Sequence, residues 1–358
     1  MNIQLLPADK LTADQIAAWV EIQRSEPALD SPYFRPEFTR AVAAVRGDVE
    51  VGVLEEHGEP VGFFPFQRSP GNVALPVGGK MSDFHGLVAR KDLRWEPREL
   101  LRGCRLAAWR FDHLIASQSP PQPYHWHVAP SPYVDLSRGW EGYRAEQLAV
   151  RPEWFKRAER KLRQADREAG PLRVELESDN PAVFQYMLKW KRRQYQRTGA
   201  TDVLAFDWTV ALLERVRVAK SEGFSGVTSA LYMGGVLTAV MLSIRSHGVL
   251  HAWFSAYHPD FAQLSPGIVF WMKLLQAYPQ IGVRRIDLGK GPEKYKTRLM
   301  SAAIDVAEGA VDLRPMAGFL RRNCRHAYDW TRQSPLRRPL LKPGRIIRRL
   351  IESRSFRQ

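Results

Sequence analysis

The run Gly289-Lys290-Gly291-Pro292-Glu293-Lys294-Tyr295-Lys296 follows Arg284 to Leu288, a short stretch that reads as a buried strand. Two glycines and a proline let the backbone turn sharply at a strand end, a common place for catalytic groups. Tyr295 can donate a proton to a leaving group when a local partner holds it in place. Lys290, Lys294 and Lys296 can bind phosphate or lower the pKa of that tyrosine. A charged surface loop with Tyr295 packed into the core accounts for the same residues equally well. Upstream, Phe261-Ala262-Gln263-Leu264-Ser265-Pro266-Gly267 runs into Ile268 to Tyr278, which is amphipathic at helical spacing through Ile268, Trp271, Met272 and Leu275. Ser265 can cap this helix and Pro266 suits its first position. An open helix start exposes unpaired backbone N–H groups, and the helix dipole adds positive potential there; together these suit a pyrophosphate. Taken alone, Ser-Pro-Gly is a helix start and nothing more.

The elements that must position these residues follow from periodicity. Ala13 to Gln23 and Pro36 to Val45 read as helices, followed by strands Val49 to Leu54 and Val61 to Phe66 around a His57-Gly58 turn. Pro181 to Arg197 and Trp208 to Lys220 read as helices, followed by strands Val227 to Met233 and Val236 to Ser243 around Gly234-Gly235. A two-residue Gly-Gly connection between apolar strands is a strong hairpin signal, because both positions need positive φ. Helix, helix, strand, turn, strand thus occurs twice, which points to two copies of one α+β unit. Leu172 to Glu177 reads as the first strand of the second copy, and Val249 to Tyr257 as a later one.

Composition narrows the class. The 358 residues include 11 Trp, 16 Phe and 11 Tyr, too many aromatics for a disordered chain, and 25 Gly and 25 Pro without any period. Two cysteines, Cys104 and Cys324, cannot build a disulfide framework or a thiolate zinc site by themselves. His125-Trp126-His127 lacks convincing further ligands, so no metal is expected. No apolar run approaches the length of a membrane-spanning helix, and the N-terminus has no secretory-signal pattern, so a cytoplasmic location is expected. Residues 313–358 hold 13 Lys or Arg against Asp329 and Glu352, whereas the rest of the chain is near neutral, with 40 basic and 36 acidic residues. Ile346, Ile347, Leu350 and Ile351 recur at helical spacing among Arg345, Arg348, Arg349 and Arg354. Such a basic amphipathic tail can attach to an anionic membrane surface at its inner face, or simply remain an exposed soluble tail. Between the copies, Trp154, Ala158, Leu162 and Ala165 form one helical stripe. Lys156, Arg157, Arg160, Lys161, Arg163 and Arg167 crowd the other faces, as in a solvated linker helix or a wall facing phosphates.

From Leu172 to Glu308 the order is strand, two helices, three antiparallel strands, helix, strand and a Tyr-bearing turn, and this order resembles the Gcn5-related N-acetyltransferase (GNAT) fold. Tyr257 through Gly267 and Asp287 through Lys296 resemble, more narrowly, the CelD-type cellulose-biosynthesis family, double-GNAT proteins related to the peptidoglycan Fem transferases. Ser31-Pro32-Tyr33-Phe34, Ser82-Asp83-Phe84-His85-Gly86 and Ser131-Pro132-Tyr133-Val134-Asp135-Leu136 agree with it. The resemblance implies a mixed α/β (α+β) fold of two tandem GNAT-like domains, each a mostly antiparallel sheet flanked by helices. The expected division is 1–136, a degenerate GNAT-like domain; 137–171, a basic interdomain helix; 172–312, the acyltransferase domain; and 313–358, the basic tail.

The same resemblance implies an acetyl-CoA or longer acyl-CoA donor. Gln263, Ser265 and Gly267 occupy the place of the family's pyrophosphate loop, with Pro266 where its first glycine belongs, so that Ser265, Gly267 and Ile268 are left as donors. Trp253 and Ser255, on the preceding strand, are expected to line the thioester with their backbone N–H groups, and Lys296 to contact the donor. Tyr295 is expected to protonate the departing thiolate, Glu293 to take the acceptor's proton, and Asp83 and His85 to bind the acceptor. The acceptor implied is a small-molecule or saccharide precursor of the cell envelope or an exopolysaccharide, acylated on N or O in a ternary complex. Two rival readings remain: a Fem-like transferase that uses aminoacyl-tRNA, the one case in which a nucleic acid would bind, and an inactive scaffold beside a polysaccharide synthase.

Overall fold

The computed structural model describes residues 2–314, so all of the basic tail beyond Arg314, with the amphipathic segment read within it, lies outside the described residues. The chain divides into two compact units. The first comprises Met1–Ala129, Ala205–Thr209 and the stretch that begins at Asp305; the second comprises Pro130–Leu204 and Val210–Ile304. Both are mixed α/β, with mostly antiparallel sheet flanked by helices.

In the first unit, Val49–Glu56 pairs antiparallel with Asn2–Pro7 on one side and with Glu59–Ser69 on the other. Glu59–Ser69 also pairs with Val73–Leu75 and Val88–Ala89. Ala108–Ile115 runs parallel to Val73–Leu75 and antiparallel to the end of Ala302–Asp312. Helix Ala13–Ser25 begins at a capping box, in which Thr12 and Gln15 satisfy each other's backbone N–H groups. Trp19 of this helix is fully buried and stacks on Phe63, which fixes the helix to the sheet.

In the second unit, Leu172–Glu175, Phe224–Met233, Val236–Ser246 and Val249–Tyr257 form an antiparallel run. Val249–Tyr257 then pairs parallel with Arg285–Asp287, which pairs antiparallel with Tyr133 to Asp135. The parallel pair requires a crossover, and helix Pro266–Ala277 supplies it. Strand Val236–Ser246 is buried from Thr238 through Ile244 without alternation, because both of its faces are covered. Ala239 and Met241 share a core with Phe155, Phe270 and Leu274 of two helices. Helix Pro181–Thr198 buries Val183, Phe184, Met187, Leu188 and Trp190, a stripe at helical spacing. Asn180 caps its start and Gly199 ends it in the left-handed region.

The order helix, helix, strand, turn, strand is present in both halves: Ala13–Ser25, Pro36–Ala43, Val49–Glu56 and Glu59–Ser69, then Pro181–Thr198, Asp207–Val218, Phe224–Met233 and Val236–Ser246. The stretch 137–171 contains two helices, Gly139–Val150 and Pro152–Ala169, because Pro152 cannot continue the first and suits the first turn of the second. Ala158 and Ala165 of the expected stripe are buried, Trp154 and Leu162 are partly so, and Phe155 joins them in the core.

Candidate active site

The second unit's sheet opens at one end, and the chemistry-bearing residues gather there. Arg285–Asp287 is in register with Val249 to His251 and stops at Asp287, opposite His251. Past that point the chain bonds on the other side, with the Leu288 N–H donating to the Pro132 carbonyl (2.9 Å). Residues Ala252 to Tyr257 therefore have one strand edge that no described strand occupies. Their other edge pairs with Val236–Ser246, and the register slips so that Trp253 is the extra residue of a bulge. Bulges re-aim side chains and twist a strand locally. Trp253 is half-buried with its ring edge-to-face on Phe254 (5.5 Å), and Ser255 is exposed.

Lys191, on helix Pro181–Thr198, reaches the vacated edge: its Nζ donates to the Ser255 carbonyl (3.2 Å). Burial pushes the Lys191 ammonium down to about 8; the Glu293 carboxylate opposes the shift and the Lys296 ammonium adds to it. Lys191, Ser255, Glu293 and Lys296 thus form one electrostatic neighbourhood. An amine near pKa 8 can exchange a proton close to neutral pH, which an ordinary surface lysine cannot.

The turn after Asp287 is shaped by two glycines with different duties. Gly289 sits at φ +72°, a conformation L side chains rarely adopt. At Gly291 the issue is space: a Cβ there would stand 2.2 Å from Glu293 Oε2 and 2.8 Å from Lys296 Nζ. Those two groups pair at 3.2 Å, and Lys296 Nζ also reaches the Lys290 carbonyl (3.5 Å). Lys296 is 8% exposed, so its ammonium is committed to the turn. Glu293 is exposed and precedes the short helix Lys294–Leu299. Tyr295, in the first turn of that helix, stacks on Trp271 (6.0 Å between centroids, 28° between planes). This contact ties the turn to helix Pro266–Ala277, which joins the two motifs that are separate in sequence.

At the start of helix Pro266–Ala277, Ser265 takes a left-handed conformation (φ 56°, ψ 52°) and its hydroxyl makes no capping bond. The Ser265 carbonyl accepts from the N–H groups of both Ile268 (2.9 Å) and Val269 (3.2 Å). The Ile268 N–H expected to meet a donor substrate is therefore already bonded, and Pro266 has none. The Gly267 N–H, at a position where a helix offers no internal acceptor, and the Ser265 hydroxyl remain for an anion. Nothing lies within 4 Å of where a Gly267 Cβ would stand, so space for a ligand exists in front of it. Gln263 is exposed on the preceding 3-10 turn, Pro259–Leu264.

Asp83 and His85 belong to the first unit. His85 lies beside strand Ala108–Ile115, exchanging backbone bonds with His113 and Ile115, and its Nε2 accepts the N–H groups of Asp112 and His113 (3.3 Å each). That ring nitrogen has a structural duty. Asp83 Oδ1 is 3.9 Å from His113 Nε2. Burial would raise the neighbouring Asp112 carboxyl, but the His113 hydrogen bond and the charges of Lys80, His113 and His85 hold it well below the usual carboxylate range. No cluster of three metal-ligating side chains occurs among the described residues.

Residues 153–297 match the family model of the acetyltransferase (GNAT) domain, so the matched segment holds the open strand edge, the helix start and the tyrosine turn. Among solved structures the chain is similar to FemX (9% identity, TM-score 0.60, covering 90% of this chain and 100% of that one). It is also similar to a conserved protein of unknown function from Bacteroides thetaiotaomicron (10% identity, TM-score 0.56, covering 87% and 100%). A third is the C-terminal domain of an Agrobacterium fabrum protein assigned as a lysylphosphatidylglycerol synthetase (13% identity, TM-score 0.54, covering 87% and 95%). At these identities the likeness is one of fold. No curated protein matches the sequence.

Proposed function

We propose that the chain is an acyl-CoA-dependent acyltransferase whose second unit transfers the acyl group directly to an amine or hydroxyl of a cell-envelope or exopolysaccharide precursor. The observation that carries this reading is the vacated edge of Ala252 to Tyr257, with a proton-active lysine bonded to it and Tyr295 stacked against Trp271 of the helix that starts at Ser265. The acceptor class rests on the resemblance to the CelD-type family, and the donor on the GNAT-domain match.

The residues divide the work as follows. The Gly267 N–H and the Ser265 hydroxyl hold the pyrophosphate at the helix start. A backbone N–H on the open edge near Trp253 and Ser255 polarises the thioester carbonyl, a contribution of about 3 kcal/mol to the barrier in comparable sites. The acceptor attacks the carbonyl carbon, the C–S bond breaks, and Tyr295 protonates the leaving thiolate. The acceptor's proton goes to Lys191 in its neutral form or to Glu293, which share one neighbourhood. Release of free CoA thiol from acetyl-CoA, followed over a panel of amino and hydroxy saccharides, tests the proposal. Acceptor-dependent release that collapses in Tyr295→Phe supports it. Release that is equal in that variant, or absent with every acceptor while aminoacyl-tRNA is consumed, contradicts it.

A further inference from the structure

We infer that the groove between helix Pro181–Thr198 and the end of strand Val249–Tyr257 binds a phosphate ester carried by the acceptor; this rests on the acyltransfer reading above. The helix carries Lys189, Lys191, Arg192, Arg193 and Arg197 and no carboxylate. Lys191 and Arg192 have internal duties, the latter donating to the Leu204 carbonyl (2.8 Å). Arg193 and Arg197 have no carboxylate or backbone carbonyl to serve among the described residues. They stand four residues apart, where like charges on a helix repel. With Trp190, Gln194, Tyr257 and Pro259 they line one groove.

Among the described residues the partner of Arg197 is neutral, the Tyr257 hydroxyl at 3.3 Å, and Arg193 makes no ion pair. The helix dipole accounts for a cation in the last turn. It does not account for two exposed guanidiniums converging on a concave site without an acid. The groove's floor is fixed: Trp190 is 5% exposed and packs against Tyr186 (5.6 Å) and edge-on to His258 (5.2 Å). Two guanidinium forks above a rigid floor match the several acceptor oxygens of a phosphate.

Position connects the groove to the reaction. Tyr257 lies two residues beyond Ser255, about 7 Å along the strand and on the same face. Lys191 and Arg197 hold those two rungs from one helix. A phosphate in the groove would place the rest of the acceptor alongside the Ser255 carbonyl that Lys191 marks, so the groove selects phosphorylated acceptors.

Calorimetric titration of the full chain tests this with glucose 1-phosphate as the free ester and UDP-glucose as the nucleotide-linked one, and with glucose as the uncharged control. The variants are Arg193→Gln and Arg193→Gln/Arg197→Gln; both positions are exposed, and melting temperature checks that the variants fold. The expected result is saturable binding of at least one ester, none of glucose, and a loss of tenfold or more in the double variant with a smaller loss in the single one. Acetyl-CoA affinity should stay within twofold. Failure of both esters to bind, equal binding in wild type and variants, or a matching loss of acetyl-CoA affinity would overturn the inference. Acetyl-CoA binding in the wild type reports separately on the donor reading, so the two failures are distinguishable.

Discussion

Replacing Lys191 by Met should stabilise the protein at neutral pH and stop doing so in alkali. Lys191 has a pKa of about 8 in the folded chain against 10.5 for the free side chain. Between those values the unfolded chain binds more protons, so this group makes stability rise with pH across that window. Below about pH 8 folding must bury an ammonium, at a cost of about 3 kcal/mol at pH 7 from the shift alone. Water reaching a half-buried group reduces that to about 2 kcal/mol. Met keeps the apolar stem but loses the bond to the Ser255 carbonyl, worth about 1 kcal/mol. The net expectation is a gain of about 1 kcal/mol at pH 7, or roughly 2–4 °C in Tm. By pH 9.5 the titration cost falls by more than half, to about 1 kcal/mol, so the gain should vanish. Scanning calorimetry of both proteins at pH 7, 8.5 and 9.5 measures the difference. A gain independent of pH, or a variant less stable than wild type at pH 7, would refute the reasoning.

Other perturbations probe the site's separate parts. Tyr295→Phe keeps the ring that stacks on Trp271, so Tm should hold while CoA release slows by about 10²-fold, the usual contribution of a positioned acid. If Lys191 is the proton acceptor, the rate of the wild type should climb through about pH 8. Lys191→Met should flatten that limb, whereas an unchanged profile assigns the proton to Glu293. Gly226→Ala would set a Cβ 1.9 Å from the Val216 carbonyl oxygen and 2.9 Å from Arg217 Cα, both backbone atoms. It should cost more than about 2 kcal/mol, visible as a large fall in Tm.

Much of the fold was legible because its signals are local. The Gly234-Gly235 turn between apolar strands and Ser265-Pro266 at a helix start each act over a few residues, and both elements stand where periodicity put them. Pro152 was equally local, yet the long basic stripe around it hid the break between two helices. The pairing of Ala108–Ile115 with the end of Ala302–Asp312 has no such signal, because it joins residues far apart in sequence through backbone bonds that any side chain permits. The candidate site divides the same way. Tyr295, Glu293 and Gly267 were visible as types at a turn and a helix start. Lys191 was one of five basic residues on a helix, and only the three-dimensional approach to Ser255, with the burial that follows, distinguishes it. His85 carries a role that its motif did not signal, since its Nε2 accepts two backbone N–H groups of its own unit.

The central claim is a donor site at the start of helix Pro266–Ala277, and a thermal-shift titration with acetyl-CoA and longer acyl-CoAs tests it most directly, with Gly267→Glu as the control. The open space at Gly267 lets that variant fold while its carboxylate blocks and repels a pyrophosphate. The account predicts a saturable rise in Tm, about 2.7 kcal/mol of stabilisation at 100 times the Kd, that the control lacks. No rise with any acyl-CoA, or an equal rise in the control, would contradict it.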